Sequence, residues 1–126
     1  MESEKLAQWV KEAAAQYNKQ VDTINYIFCS DKYLLEINQQ YLDHDTYTDI
    51  ITFDNSDVEE QLISDIFISA QRVSENSSLH NTSFDDELHR VIIHGILHLA
   101  GFKDKSEKEK ERMRNLEDQH LQNRNF

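Results

Sequence analysis

The chain has 126 residues and a mass of 14.9 kDa, enough for one domain that buries a single core without disulfide or metal staples. Thirteen basic residues against 24 acidic ones give a formal net charge of −11, the opposite of the basic footprint that nucleic-acid binders usually carry. Cys29 is the lone cysteine, no apolar run approaches a membrane span, and the charged N-terminus is unlike a signal peptide, so a cytoplasmic protein in a reducing compartment is expected.

In chain order, "LAQWVKEAAAQY" places apolar residues at helical spacing among good helix formers and predicts a helix over about residues 4–18. "VDTINYIFCS" alternates and is rich in β-branched and aromatic residues, as a half-buried strand is. "DKYLLEINQQYL" sets Leu34, Leu35, Ile37 and Tyr41 on one helical stripe, with Ser30 or Asp31 as the cap. "TDIITFD" and "LISDIFIS" are short apolar runs that read as buried strands. "AQRVSENS" predicts a short helix dissolving into the polar stretch "ENSSLHNTS". Ser83 with Asp86 three residues on resembles a capping box, with Asp where Glu is usual. A long helix follows, "FDDELHRVIIHGILHLA", and Gly101 stands where helices stop. "SEKEKERMRNLEDQHL" makes a last, charged helix. The order α-β-α-β-β-α-α-α predicts an α+β fold: one small domain over residues 1–126, with a sheet of about three to four strands packed with helices around the long central one.

Both glycines of the chain fall in "HGILHLAGFKDK", residues 94–105. His94 and His98, four apart on a helix, point the same way and can grip one metal ion. The bland reading is a pair of satisfied core histidines. Against it, the surrounding helix is apolar on nearly every side, where an imidazole needs a partner. Gly95 costs about 1 kcal/mol relative to Ala mid-helix, which implies that something passes close to the backbone. Gly101 can take a left-handed conformation and turn the chain back, so that a side chain two or three residues on completes the coordination sphere. Six cations (Lys103, Lys105, Lys108, Lys110, Arg112 and Arg114) follow within twelve residues. The bland reading is a solvated helix interleaved with glutamates; the sharper one is a basic rim beside a site.

"HGILHLAGFKD" closely resembles the signature H-G-x-L-H-L-x-G-[YF]-D-H of the YbeY-type metal-dependent endoribonucleases, in which three histidines hold zinc. His94 and His98 fall on the first two and Asp104 on the third. "NQQYLDHDTYTDIITF" is similar to the family's N-x-x-[YF]-R-x-x-D-x-P-T-D-V-L-S-F segment, matching at Asn38, Tyr41, Asp45, Thr48, Asp49 and Phe53, and "SDIFIS" resembles its G-D-I-x-I strand. The resemblance implies a single-strand-specific endoribonuclease that acts in ribosomal RNA maturation and ribosome quality control. It also implies one Zn²⁺ or another divalent transition metal on His94, His98 and Asp104. The expected partners are ribosomal RNA and the ribosome or ribosome-associated proteins; neither DNA nor a membrane is expected.

Several departures bear on mechanism. Asp104 remains a competent ligand, since two histidines and a carboxylate form a catalytic zinc set, and its charge makes harder metals more acceptable. Leu42 stands where the family usually has an arginine, so phosphate handling needs another cation, such as Lys103 or Arg72, in its place. Tyr47 replaces the family's proline, and no strand is read ahead of the first helix. Gly95 occupies the slot of the general base in HExxH proteases, which leaves Asp49, Asp65 and Asp104 as candidate bases. Glu87 lies two turns before His94, roughly 11 Å along the axis, too far for a ligand. Asp49 and Lys103 are therefore the candidate catalytic residues. Two other readings stay open: a ribosome-associated binding factor with a structural metal and no turnover, or a metal-dependent hydrolase of another substrate.

Overall fold

The computed structural model describes residues 3–42 and 47–126, so the expected match at Asp45 lies outside the described residues. Helix α1 (Ser3–Ala15) buries Leu6, Trp9, Val10, Ala13 and Ala14, a stripe of helical period. It ends earlier than its composition predicts because Asn18 adopts a left-handed φ of 61°. Strand β1 (Gln20–Cys29) is half-buried, as expected. In α2 (Asp31–Leu42) the cap is Ser30, whose Oγ accepts from the Tyr33 N–H at 3.1 Å. Asp31 instead accepts from the guanidinium of Arg72, at 2.7 Å.

Strands β2 (Ile50–Asp54) and β3 (Gln61–Ser69) form an antiparallel pair, with Ile50 opposite Ile68 and Asp54 opposite Ser64. β1 runs parallel to β3, from Gln20 opposite Gln61 to Cys29 opposite Ser69, and the sheet order is β1-β3-β2. The central strand β3 is buried as predicted. β2 is an edge strand, and Ile51 alone of its residues is fully buried, so its apolar run reflects cover on one face rather than burial on both.

Helix α3 (Ala70–Leu79) is capped by Ser69 and runs through the polar stretch expected to end it. Val73 and Ser77 are buried on that helix, and the Ser77 hydroxyl is satisfied by the Ser74 carbonyl at 2.7 Å, so packing overrides local polarity. Helix α4 (Phe84–Leu99) starts at Ser83, whose Oγ accepts from the Asp86 N–H. The reciprocal half of the expected box gives way to a different contact: the shorter Asp86 carboxylate accepts from Arg124, at 3.0 Å. Helix α5 (Glu107–Gln122) carries a full capping box between Ser106 and Glu109.

The result is an α+β fold with helices on both faces of a three-stranded sheet. Leu62, Ile66 and Ile68 of β3 meet α1 and Leu88, Ile92, Ile93 and Ile96 of α4 in the main core. Leu34 and Ile37 of α2 cover the other face with Ile51, Phe53 and Phe67. Gly95 explains how α4 lies so near the sheet. A Cβ there would stand 2.9 Å from Ile50 Cδ1 and 3.1 Å from Thr52 Cγ2, so β2 is what passes close to the helix. The site's helix is thus wedged against the strand that Asp49 precedes.

Candidate metal centre and groove

Helix α4 ends in a Schellman turn. The Gly101 N–H reaches the His98 carbonyl at 3.0 Å and the Phe102 N–H reaches that of Leu97 at 3.0 Å, with Gly101 at φ 105°. The same turn folds the chain back over the histidines. The Phe102 carbonyl comes to 3.0 Å from His98 Nδ1, which donates to it. His94 Nδ1 donates to Oε2 of Glu117, on α5, at 2.6 Å. With both Nδ1 atoms engaged, the two Nε2 atoms are free to face the same point.

Asp104 completes the cluster. The two Nε2 atoms are 3.0 Å apart, and Asp104 Oδ2 lies 3.3 Å from that of His94 and 3.5 Å from that of His98. Two bare nitrogen lone pairs this close repel unless a cation or proton sits between them. Ligands bound at about 2.0–2.1 Å in a tetrahedron stand roughly 3.3–3.4 Å apart, and these separations bracket that value. Two imidazoles and one carboxylate oxygen therefore fit zinc or a similar divalent transition metal.

Glu117 is buried, at 6% exposure, and acts as more than a tether. Its Oε1 accepts from Arg90 Nη1 at 2.9 Å, while Arg90 Nη2 reaches Asp118 at 2.6 Å. The chain Asp118–Arg90–Glu117–His94 fixes the ring and its tautomer from outside the cluster. Burial by itself would depress the His94 pKa, but the Glu117 hydrogen bond and the charges of Glu117, Asp104 and Asp49 outweigh it and raise the value.

A groove of about 410 Å³ opens beside the cluster, lined by His94 and Asp104 together with Asp49, Glu87, Arg90, Lys110, Arg114 and Glu117. Asp49 sits just before β2, its carbonyl held by the Ser69 N–H at 3.0 Å. Burial pushes its carboxyl above the usual range; the charge of His94 opposes this and those of Glu87 and Glu117 add to it. On the other side of His98 lies a second groove of about 440 Å³, which includes Asn38, Leu42, Tyr47 and Thr52.

The structure brings together His94, His98 and Asp104, and Asp49 lines the adjoining groove. Lys103 is exposed beside Asp104, and the cations lining the first groove are Arg90, Lys110 and Arg114 instead. Arg72 is committed to Asp31 and stacks over Tyr47 at 5.4 Å. Asp65 is held by Asn25 and Asn55, at 3.1 and 3.3 Å. Glu87 is buried and paired with His80 at 3.0 Å, two turns from the cluster. Sequence reasoning passed over Glu117 and Arg90. Spacing alone offered a cue, since Met113, Glu117 and His120 recur on one face of α5 and Arg90 lies one turn before His94, but nothing in the sequence marks Glu117 among the helix's acids as the buried one.

The fold and the cluster define a small α+β domain of the metal-hydrolase kind. A family profile described as Endoribonuclease YbeY matches residues 1–125. A protein of Cytophaga hutchinsonii named Endoribonuclease YbeY is 53% identical over 118 residues, covering 94% of this chain and 82% of that one. One of the same name from Bacteroides fragilis is 52% identical over 114 residues, covering 90% and 81%. The solution structure of TM1509 from Thermotoga maritima superposes with a TM-score of 0.64 at 31% identity, covering 94% of this chain and 78% of that one. The chain belongs to the YbeY endoribonuclease family.

Proposed function

We propose that the protein is a metal-dependent, single-strand-specific endoribonuclease that acts on ribosomal RNA during its maturation and in ribosome quality control. Residues 1–126 form its single domain, and the ribosome or ribosome-associated proteins are its partners in the cytoplasm. Among the described residues no helix is long and apolar enough to cross a membrane. The observation that carries the reading is the meeting of His94 Nε2, His98 Nε2 and Asp104 Oδ2 at one point beside a groove. These three atoms would hold one Zn²⁺, which supplies Lewis acidity toward phosphoryl oxygens and acidifies water.

The protein's own groups supply the rest. Glu117 and the Phe102 carbonyl keep the two imidazoles aimed. Asp49, whose carboxyl is made more basic by burial, is the proposed acceptor for the proton that the nucleophile gives up. Val91 and Met113 supply the apolar part of the groove's lining. A factor that held its metal only for structure would present four protein ligands, and among the described residues three converge here.

Elemental analysis of the wild type beside His94→Ala, His98→Ala and Asp104→Ala tests the site. About one equivalent of metal is expected in the wild type, and little in the histidine variants. Metal content unchanged in His98→Ala removes the site. Metal-loaded protein should nick single-stranded RNA and a chelator should stop it; nicking that survives the chelator, or ribosome association without nicking, overturns the enzymatic reading.

A further inference from the structure

The first groove presents a charge problem. Asp49, Glu87 and Asp104 line it, and a nucleic-acid strand brings one more negative charge per nucleotide. Three of the other arginines are already neutralised, Arg90 by Glu117 and Asp118, Arg124 by Asp86, and Arg72 by Asp31, and Arg112 lies over the Phe102 ring, outside the groove lining. Lys110 and Arg114 differ. Both line the groove, yet neither forms an ion pair among the described residues, although Glu107 and Glu111 stand three positions before them on the same helix. Pairing within α5 would have been the default for such spacing.

Their placement is ordered relative to the metal cluster. Lys110, Arg114 and Glu117 share one stripe of α5, and Glu117 holds His94. At 1.5 Å per residue, Arg114 stands about 4.5 Å and Lys110 about 10.5 Å along the helix from that contact. Two uncommitted cations thus lead away from the cluster, one helical turn apart, on the wall of the groove.

We propose that Lys110 and Arg114 form a binding site for the phosphodiester backbone of single-stranded RNA, holding phosphates next to the one presented to His94, His98 and Asp104. The proposal rests on the endoribonuclease reading and deepens it. Arg114 offers a planar fork to a phosphate near the reacting centre, and Lys110 a point charge further along the strand. This pairing gives an acidic protein a local means of holding a polyanion.

Fluorescence anisotropy with a nuclease-resistant phosphorothioate oligouridylate, titrated against the whole 126-residue chain at several salt concentrations, tests it. Each backbone contact to a single strand contributes about 0.7 to the slope of log affinity against log salt, so Lys110→Gln/Arg114→Gln should lower that slope by about 1.4. Affinity at low salt should fall about tenfold, and KM for cleavage should rise with kcat within about twofold. Metal content should stay at the wild-type level. Lys108→Gln, on the outer face of α5, controls for net charge and should leave the slope unchanged. A double variant that cleaves RNA with wild-type KM and salt slope overturns the phosphate site and leaves the nuclease reading intact. A wild type that neither binds nor cleaves RNA overturns both.

Discussion

Replacing Glu117 with glutamine asks how much the cluster owes to a residue that never touches the metal. The Glu117 carboxylate, 6% exposed, accepts from Arg90 at 2.9 Å and from His94 Nδ1 at 2.6 Å. Glutamine has nearly the same shape, but only its amide oxygen accepts. If it serves His94, the amide NH₂ faces the guanidinium, and donor meets donor; the flipped amide moves the conflict to the ring. Removing one partner of a buried charged pair costs roughly 3–5 kcal/mol. Asp118 still holds the other arm of Arg90, at 2.6 Å, so about 2–4 kcal/mol is expected here. Losing the orienting partner of a ligating histidine weakens metal binding by about 10–100-fold, or about 1.4–2.7 kcal/mol. Competition against a chromophoric chelator reads the affinity, and urea denaturation of the metal-free protein reads the stability. Wild-type metal affinity in Glu117→Gln would refute the view that this carboxylate orients His94.

Two further outcomes follow from features remote from that contact. Gly101→Ala should cost about 1–2 kcal/mol, because a Cβ there meets nothing within 4 Å and the whole effect comes from forcing φ 105° on an L-residue; a thermal melt lowered by about 3–8 °C checks it, together with weaker metal binding as Asp104 shifts. Burial pushes the Tyr26 hydroxyl up to about 12 from its ordinary 10. The folded state therefore keeps a proton that the unfolded chain releases. Its stabilising effect is full below pH 10 and is lost as pH rises toward 12, on the order of 2–3 kcal/mol. Urea denaturation at pH 9 and 11.5 should show a steeper alkaline loss in the wild type than in Tyr26→Phe, and equal losses would contradict the burial argument.

The order of helices and strands was legible because each segment's period agrees with its place: α1 and α4 carry apolar stripes, β1 alternates, and β3 is a short run rich in Ile, Leu and Phe. The cluster was legible for a local reason. His94, Gly95, His98, Gly101 and Asp104 span eleven residues, so their geometry follows from one helix and one turn. What could not be read joins distant segments. The parallel pairing of β1 with β3 and the edge position of β2 depend on sheet order, which no single strand encodes. Glu117 lies 23 residues from His94, in a helix whose dense charges hide the one acid that turns inward. The bland reading of that helix suits its outer face, and the groove-lining Lys110 and Arg114 suit the sharper one. The extra turns of α3 were missed because the Ser77 hydroxyl donates to the Ser74 main-chain carbonyl, a bond that polar composition conceals.

The two imidazoles are steadied by different kinds of partner, and this divides their exposure to genetic change. His94 depends on a side chain, so a single codon at position 117 can disturb it. His98 depends on a main-chain oxygen at position 102, which every amino acid supplies. Substitution of Phe102 would forfeit its ring contacts with Tyr17 and Arg112 but would keep the acceptor in place as long as the turn survives. Inherited variation is thereby tolerated on one flank of the site and punished on the other.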